Sequence, residues 1–179
     1  TKTGHTFNGW YTAASGGSRV SYTTMPATTT TIYAQWTVQQ YTLTFNANGG
    51  SVSPTSISQN YGAAITLPTP TRTGYTFNGW YTAASGGSRV SYTTMPATTT
   101  TIYAQWTPIT YTIKYNANGG SGTMANSSHT YDEAKNLTAN NFKYTGYTFK
   151  GWYTQVTGGE KVTETTKVTT ADDHEIRYS

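Results

Sequence analysis

The chain has 179 residues, 10% of them charged and 15% aromatic, and it lacks cysteine, which excludes disulfides, thiolate metal sites and cysteine nucleophiles. The net charge of +4 comes from four dispersed bases in the acid-free residues 1–113, because residues 114–179 carry seven charges of each sign. With no basic run and no apolar stretch of about 18–20 residues, we expect neither nucleic-acid binding nor membrane insertion. The 41 threonines and 16 tyrosines are typical of β-strands.

A repeat of about 70 residues organises the chain. Residues 4–37 return at 74–107 with one change, from His5 to Tyr75, and residues 41–51 return in related form at 111–121. The period predicts these parts: the back half of a first repeat at 1–37, a complete second repeat at 41–107, a diverged third repeat at 111–179, and linkers at 38–40 and 108–110.

The front half of the second repeat reads as two strands and a crossover. Residues 41–45 alternate large apolar residues with threonine, and residues 55–59 look like the return strand. Residues 61–67 form either one helical turn or an irregular crossover, and the prolines that follow prevent a long helix. Between the two strands, and at the same place in the third repeat, the sequence predicts hairpin turns at Asn48, Gly49, Gly50, Asn118, Gly119 and Gly120.

The back half reads as three further short segments. Residues 74–81 form a strand with a bulge at Asn78-Gly79, residues 89–92 are extended, and residues 102–106 form the final strand. The fold class is therefore mainly β, with tandem small modules of four to five short strands and little helix. Because aliphatic residues are few, the predicted core is aromatic: Trp10, Trp36, Phe45, Phe77, Trp80, Ile102, Trp106, Phe149 and Trp152.

The residue inventory argues against catalysis. The complete repeat 41–107 contains no acid and no histidine, so neither a carboxylate pair nor a serine–histidine pair exists there. The three histidines, His5, His129 and His174, stand at different places of the repeat. A weak cation site at 172–175 is the less favoured reading of that acidic segment. We predict no catalytic residue, no cofactor and no metal site.

Three motifs in fixed order resemble a known family: YTLTFNANGG at 41–50, GYTFNGWY at 74–81 and IYAQW at 102–106. Together they closely resemble the Listeria–Bacteroides repeat, the B-repeat of internalin-type surface proteins. The resemblance covers essentially the whole chain, although the last strand, 175–179, departs from the pattern. It implies a small β-grasp-like (ubiquitin-like) module without the long helix. It also implies an extracellular setting on the bacterial cell surface or cell wall, and it brings no catalytic motif.

Three functions fit this array. The favoured one is a non-enzymatic structural spacer, or stalk, of a surface protein or adhesin. The first alternative is a binding module for a host protein or a glycan, with Tyr81, Tyr92 and Tyr103 as candidate contact residues. The second is a surface fibre that self-associates when the half repeat 1–37 is completed by strand addition, against the plainer alternative of an arbitrary fragment boundary.

Overall fold

The computed structural model describes residues 1–163 and 174–178, with side chains as far as Thr163. These residues form short strands, turns and irregular segments and contain no helix. The mainly β fold predicted from the sequence is confirmed. The chain divides into two compact units: residues 1–71 with 79–105, and residues 72–78 with the described chain from Trp106 onward.

The half repeat at the start of the chain forms a three-stranded sheet in the order β2-β1-β3. Its strands are β1 (His5–Tyr11), β2 (Arg19–Val20) and β3 (Tyr33–Val38). Strand β1 pairs antiparallel with both neighbours. The register against β3 shifts between Phe7 and Gly9, so the bulge expected in this motif is present.

The second repeat forms a five-stranded mixed sheet in the order β5-β4-β8-β6-β7. Its strands are β4 (Gln40–Asn46), β5 (Ser56–Asn60), β6 (Tyr75–Tyr81), β7 (Arg89–Val90) and β8 (Thr100–Pro108). Strand β4 runs parallel to β8 and antiparallel to β5, which is the predicted return strand. The β-grasp-like fold implied by the resemblance stays a prediction; the parallel pairing of the repeat's first and last strands supports it.

The crossover after β5 is irregular and not helical. A turn at Tyr61-Gly62 ends the strand, and the amide of Ile65 donates to the carbonyl of Thr93 at 3.0 Å. An isolated bridge pairs Ala64 with Thr94. The backbone of the crossover therefore forms hydrogen bonds with the segment before β8. These bonds connect the front half of the repeat to its back half.

The third repeat repeats this plan with the strand order β10-β9-β13-β11-β12. Its strands are β9 (Thr110–Asn116), β10 (Ser127–Thr130), β11 (Trp152–Tyr153), β12 (Lys161–Val162) and β13 (His174–Tyr178). Strands β9 and β13 are parallel, as β4 and β8 are in the second repeat.

The same sequence forms a last strand of different length in its two copies. Residues 6–37 and 76–107 are identical, yet β3 begins at Tyr33 whereas β8 begins at Thr100, three residues earlier in the repeat. The extra residues of β8, Thr100–Ile102, all pair with β4, as Tyr103 does after them. Their counterparts 30–32 have no such strand beside them, so extension of the last strand depends on its parallel partner.

Candidate functional site

The best-formed feature of the second repeat is its aromatic core. The rings of Phe45 and Trp80 lie 5.2 Å apart, and both residues are 3% exposed. The indole nitrogen of Trp80 donates to the carbonyl of Pro68 at 2.9 Å, so its polar atom is satisfied inside the protein. Met95 and Ile102 are buried in the same repeat, with 1% exposure each.

The predicted core residues fall into three groups by burial. Phe45, Trp80, Ile102 and Trp152 are buried. Trp36, Phe77, Trp106 and Phe149 are half-buried and stack in pairs with other aromatic rings, as Phe77 does with Trp106 at 5.5 Å. Trp10 is 46% exposed, because Phe45 and Pro68, which cover its counterpart Trp80, have no equivalent in residues 1–37.

The half repeat consequently presents an uncovered aromatic face. Phe7 is 44% exposed and Met25 is 91% exposed, and Phe7, Trp10 and Trp36 line an open groove of ≈ 510 Å³. The rings of Phe7 and Trp10 meet edge to face at 5.6 Å. The back half of a repeat thus folds its sheet but leaves bare the surface that a front half covers in the second repeat.

The predicted turn residues form tight turns on the connections that follow β4 and β9, and these connections continue past the turns. Asn48 and Gly49 have φ angles of 48° and 90°, and Asn118 and Gly119 have 46° and 90°. The amides of Gly50 and Gly120 close the turns on Ala47 and Ala117. The next residue, Ser51, pairs with Thr71 and not with β4, and the return strand starts five residues later. The side-chain amide of Asn48 then ties the turn to the carbonyls of Ala84 and Ala104.

The three candidate contact tyrosines, Tyr81, Tyr92 and Tyr103, are all half-buried. Tyr11 and Tyr33, the counterparts of Tyr81 and Tyr103, face each other across β1 and β3. Tyr92 lies outside the strands, beyond the end of β7. The predicted contact residues therefore comprise two strand residues, whose counterparts pair across the strands of the half repeat, and one separate residue, each partly accessible.

Two side chains of the second repeat hold its glycine-rich loop and its bulge, and the sequence pattern assigned them no role. Gln105 donates from its side-chain amide to the carbonyls of Ala83 and Gly86 at 3.0 and 2.7 Å, which pins the glycine-rich loop. Gln35 repeats this arrangement in the half repeat. The Arg89 side chain lies where a Cβ of Gly79 would stand, 2.6 Å from its Nε, so the bulge needs glycine there. These residues recur in both copies of the back half, and that recurrence is the sequence feature that could have indicated their role.

In the described part of the chain, no three acidic or histidine side chains come together as a metal site. The acidic pair at 172–173 lies outside the described residues, and of His174 the structure describes the backbone alone. Asp132 has a φ of 62° and occupies a turn.

The third repeat contains a buried polar network that the sequence reading missed. The hydroxyl of Ser127 lies 2.8 Å from Nε2 of His129 and 2.7 Å from the hydroxyl of Tyr115. The Tyr115 hydroxyl accepts the amide of Thr138 at 2.8 Å. His129 is 4% exposed and stacks on Tyr111 with ring centroids 5.8 Å apart. Because Ser127 is held in this chain of bonds, the arrangement fits a hydrogen-bonded core in which each polar group has a partner.

Strand register shows what this network replaces. His129 pairs with Tyr111, as Gln59 pairs with Tyr41 in the second repeat. By the same register Ser127 stands where the second repeat has Ile57, and Tyr115 stands where it has Phe45. Apolar residues at two positions have thus become hydroxyls that bond to each other.

We expect the stability of the third repeat to fall on mild acidification because of His129. Burial lowers the pKa of its imidazole, the charge of Lys135 lowers it further, and Glu133 opposes these effects. The unfolded chain therefore binds the proton first on acidification. The stabilising contribution is complete above the unfolded pKa of about 6.5 and is lost as the pH falls through the lower folded value.

The measurement is the urea midpoint of the third repeat, followed by amide signals of β9, from about pH 7.5 to about pH 5. His129→Gln is the matched variant, because glutamine holds the same register position in the second repeat. Its midpoint should change less with pH than that of the wild-type chain. Equal pH dependence in the two proteins would rule out His129 as its source.

No part of the described chain folds into an apolar helix of membrane-spanning length. Three relatives are similar to this chain. Internalin H of Listeria monocytogenes is 44% identical over 112 residues, which are 60% of this chain and 20% of the relative. A Gly-rich membrane protein of Evansella cellulosilytica is 33% identical over 161 residues, 85% of this chain and 18% of the relative. Another membrane protein of that organism is 33% identical over 123 residues, 67% of this chain and 18% of the relative.

The chain thus spans about a fifth of the length of these curated relatives. The model of one family, the Listeria-Bacteroides repeat domain, matches residues 1–35, 41–105 and 111–176. The matches follow the 70-residue period of the sequence and the two parallel strand pairs of the structure. This chain therefore belongs to the Listeria-Bacteroides repeat family and is a tandem array of surface-protein repeat modules.

Proposed function

We propose that this chain is a non-enzymatic spacer that stands outside a bacterial cell and holds another domain of its protein away from the cell wall. The observation that carries the proposal is the shortness of the connections between repeats. Strand β3 ends at Val38 and β4 begins at Gln40, so one residue, Gln39, separates them. Likewise only Ile109 separates β8 from β9. Most of each predicted linker is strand, and a single residue leaves little freedom for a flexible hinge.

The composition supports an inert surface for this spacer. Residues 1–113 carry no acid and four bases, and threonine supplies much of the polar surface. Dense charge of one sign attracts partners of opposite charge, whereas the four bases of this stretch are dispersed over 113 residues. The second repeat also contains its own buried aromatic core, so successive modules can each fold around their own residues.

Sedimentation of the 179-residue chain over a wide concentration range tests the proposal first. A spacer sediments as one monomeric species at every concentration, and negative-stain images of the same sample show single particles. A ladder of larger species that grows with concentration would overturn the inert spacer and favour self-association.

Self-association is the second candidate because a specific surface favours it. The half repeat 1–37 exposes Phe7, Trp10 and Met25, whereas in the second repeat the counterpart of Phe7 is half-buried and those of Trp10 and Met25 are buried. A front-half strand from another copy would add parallel to β3 and cover this face, as β4 covers it in the second repeat. A peptide of residues 41–73 added in excess should dissolve such a ladder by occupying the same groove.

Binding to a host protein or a glycan is the third candidate, and it rests on the partly accessible Tyr81, Tyr92 and Tyr103. Near-identical surfaces on successive repeats raise avidity without high affinity per site. Saturable binding to immobilised glycans or matrix proteins that disappears in the Tyr81→Ala, Tyr92→Ala, Tyr103→Ala triple variant would favour it. Absence of binding in the wild-type chain favours the spacer.

A further inference from the structure

The same set of backbone contacts occurs at both connections between repeats. In the first unit, the Gly4 carbonyl accepts the amide of Gln39 at 2.8 Å, and the Gln39 carbonyl accepts the amide of Tyr61 at 2.8 Å. In the second unit, the Gly74 carbonyl accepts the amide of Ile109 at 3.0 Å, and the Ile109 carbonyl accepts the amide of Tyr131 at 2.8 Å. Each residue of the second set lies 70 residues after its counterpart, so the connecting residue is tied on both sides in the same way.

A tyrosine ring lies against the glycine in both sets. A Cβ built on Gly4 would stand 2.1 Å from Cγ of Tyr61, and one built on Gly74 would stand 2.3 Å from Cδ1 of Tyr131. These glycines have φ angles of 69° and 78°, which favour glycine as well. The ring therefore occupies the space that any larger residue would need.

The residue after the glycine closes the contact from the side. His5 meets Tyr61 at a ring separation of 6.1 Å and an interplanar angle of 78°. Tyr75 meets Tyr131 at 5.6 Å and 73°. The one residue that differs between the two copies, His5 against Tyr75, thus keeps an edge-to-face ring contact. The Arg72 guanidinium lies 3.8 Å from the centroid of the Tyr75 ring on the same surface.

A turn positions the tyrosine in each following repeat. Tyr61 and Tyr131 come directly after β5 and β10. The next residue has a positive φ in both repeats, 77° at Gly62 and 62° at Asp132. An amide–carbonyl bond closes each turn, from Ala63 to Asn60 and from Glu133 to Thr130. Asp132 keeps the positive φ although it is not glycine. The turn is therefore maintained where the sequence has diverged.

We propose that the surface formed by the glycine and the aromatic residue after it, Gly4-His5 or Gly74-Tyr75, is an interaction surface for the turn that carries the tyrosine of the next repeat. Their contact, here named the glycine–tyrosine joint, restrains the single connecting residue. The partner that this surface fits is a second module of the same kind, whose turn after its second strand brings an aromatic ring and a backbone amide that donates to the connecting residue. The proposal rests on the spacer function, because a spacer of short modules resists bending only where its connections are held. The joint ties the connection through two hydrogen bonds and one ring, and it needs no charge.

Gly146 of the third repeat supplies the matched control. It stands in the same motif with a φ of 83°, and no described atom lies within 4 Å of a Cβ built on it. Alanine at Gly146 therefore carries the same backbone cost as alanine at Gly74 but displaces no tyrosine.

The test is amide hydrogen exchange, followed by NMR, in the full 179-residue chain carrying Gly74→Ala. We expect exchange at Ile109 and Tyr131 to accelerate about tenfold or more, because the displaced ring releases both bonds. Gln39 and Tyr61 report the other joint in the same molecule and should change less than about twofold. Gly146→Ala should leave all four amides at their wild-type rates.

Two variants of the tyrosine separate loss of the joint from loss of folding. Tyr131→Ala should accelerate Ile109 exchange as Gly74→Ala does, while Tyr131→Phe, which keeps the ring, should restore protection. The amides of Ile113 and Leu43 report whether the two sheets stay folded. The joint is refuted if Ile109 stays protected in Gly74→Ala and Tyr131→Ala, or if Gly146→Ala exposes it equally. Self-association or ligand binding would instead refute the spacer and leave these exchange rates unchanged.

Discussion

Replacing Trp80 by alanine should remove a large part of the stability of the second repeat. The indole is 3% exposed, packs on Phe45 at 5.2 Å and donates to Pro68, so its removal leaves a cavity and an unpaired carbonyl. Truncation of a buried tryptophan costs about 3–5 kcal/mol. A module of about 70 residues has a total stability of roughly 4–10 kcal/mol, so this loss is a large part of the whole. Urea unfolding followed by the amide signals of Leu43 and Ile102 measures it.

Trp10→Ala is the matched control, because residues 6–37 and 76–107 are identical and the two indoles differ in their tertiary surroundings alone. Trp10 is 46% exposed and keeps a ring contact to Phe7 at 5.6 Å. We expect a loss of about 1 kcal/mol or less in its own sheet and no change in the signals of Leu43. Equal losses for the two substitutions would mean that burial by the front half contributes little to the stability of the repeat.

The local pattern of the sequence was sufficient to predict most strands. Alternation of tyrosine, leucine and phenylalanine with threonine at 41–45 gave the observed strand β4, and the bulge of the glycine–tryptophan motif appears as a register shift at Gly9. These features depend on residues a few positions apart, and short-range sterics determine them. The tandem organisation followed from repetition of the sequence and needed no structure.

Burial could not be predicted from the same pattern. Trp10 and Trp80 have identical neighbours along the chain for four residues before and many after, yet one is exposed and the other buried. The difference lies in Phe45 and Pro68, which are 35 and 12 residues from Trp80. Whether an aromatic residue belongs to a core depends on what lies over its face, and that information is distant in sequence.

The polar network of the third repeat was missed for a related reason. Tyr115, Ser127 and His129 differ from their counterparts one at a time, and each change alone looks like surface variation. They become one feature when β9 and β10 are placed in register, which brings their polar atoms within 2.7–2.8 Å. The tight turns show the same limit of local sequence patterns. The Asn48-Gly49 pair predicts the turn, but it does not predict that Ser51 then pairs with Thr71.

We expect a second large difference in the stability lost on truncation between Met95 and Met25, which also stand in identical sequence. Met95 is 1% exposed, and its backbone bonds to Ala63 and Gly62 join the segment before β8 to the crossover. Met95→Ala should cost about 2–5 kcal/mol, as buried methionine truncations do. Met25 is 91% exposed, and Met25→Ala should change stability by about 0.5 kcal/mol or less. Urea midpoints make the comparison, read from Leu43 for Met95→Ala and from Ala34 in β3 for Met25→Ala.

Oxidation of the wild-type chain gives the same contrast without any substitution. Peroxide reaches an exposed thioether much faster than a buried one, so Met25 should become sulfoxide while Met95 stays reduced. Tryptic peptides separate the two residues, because Arg72 and Arg89 lie between them. After unfolding in urea the rates should become equal, since the local sequences are the same. Equal rates in the folded chain would contradict the front half's role in burying Met95, and with it the reason that a repeat needs both halves to complete its core.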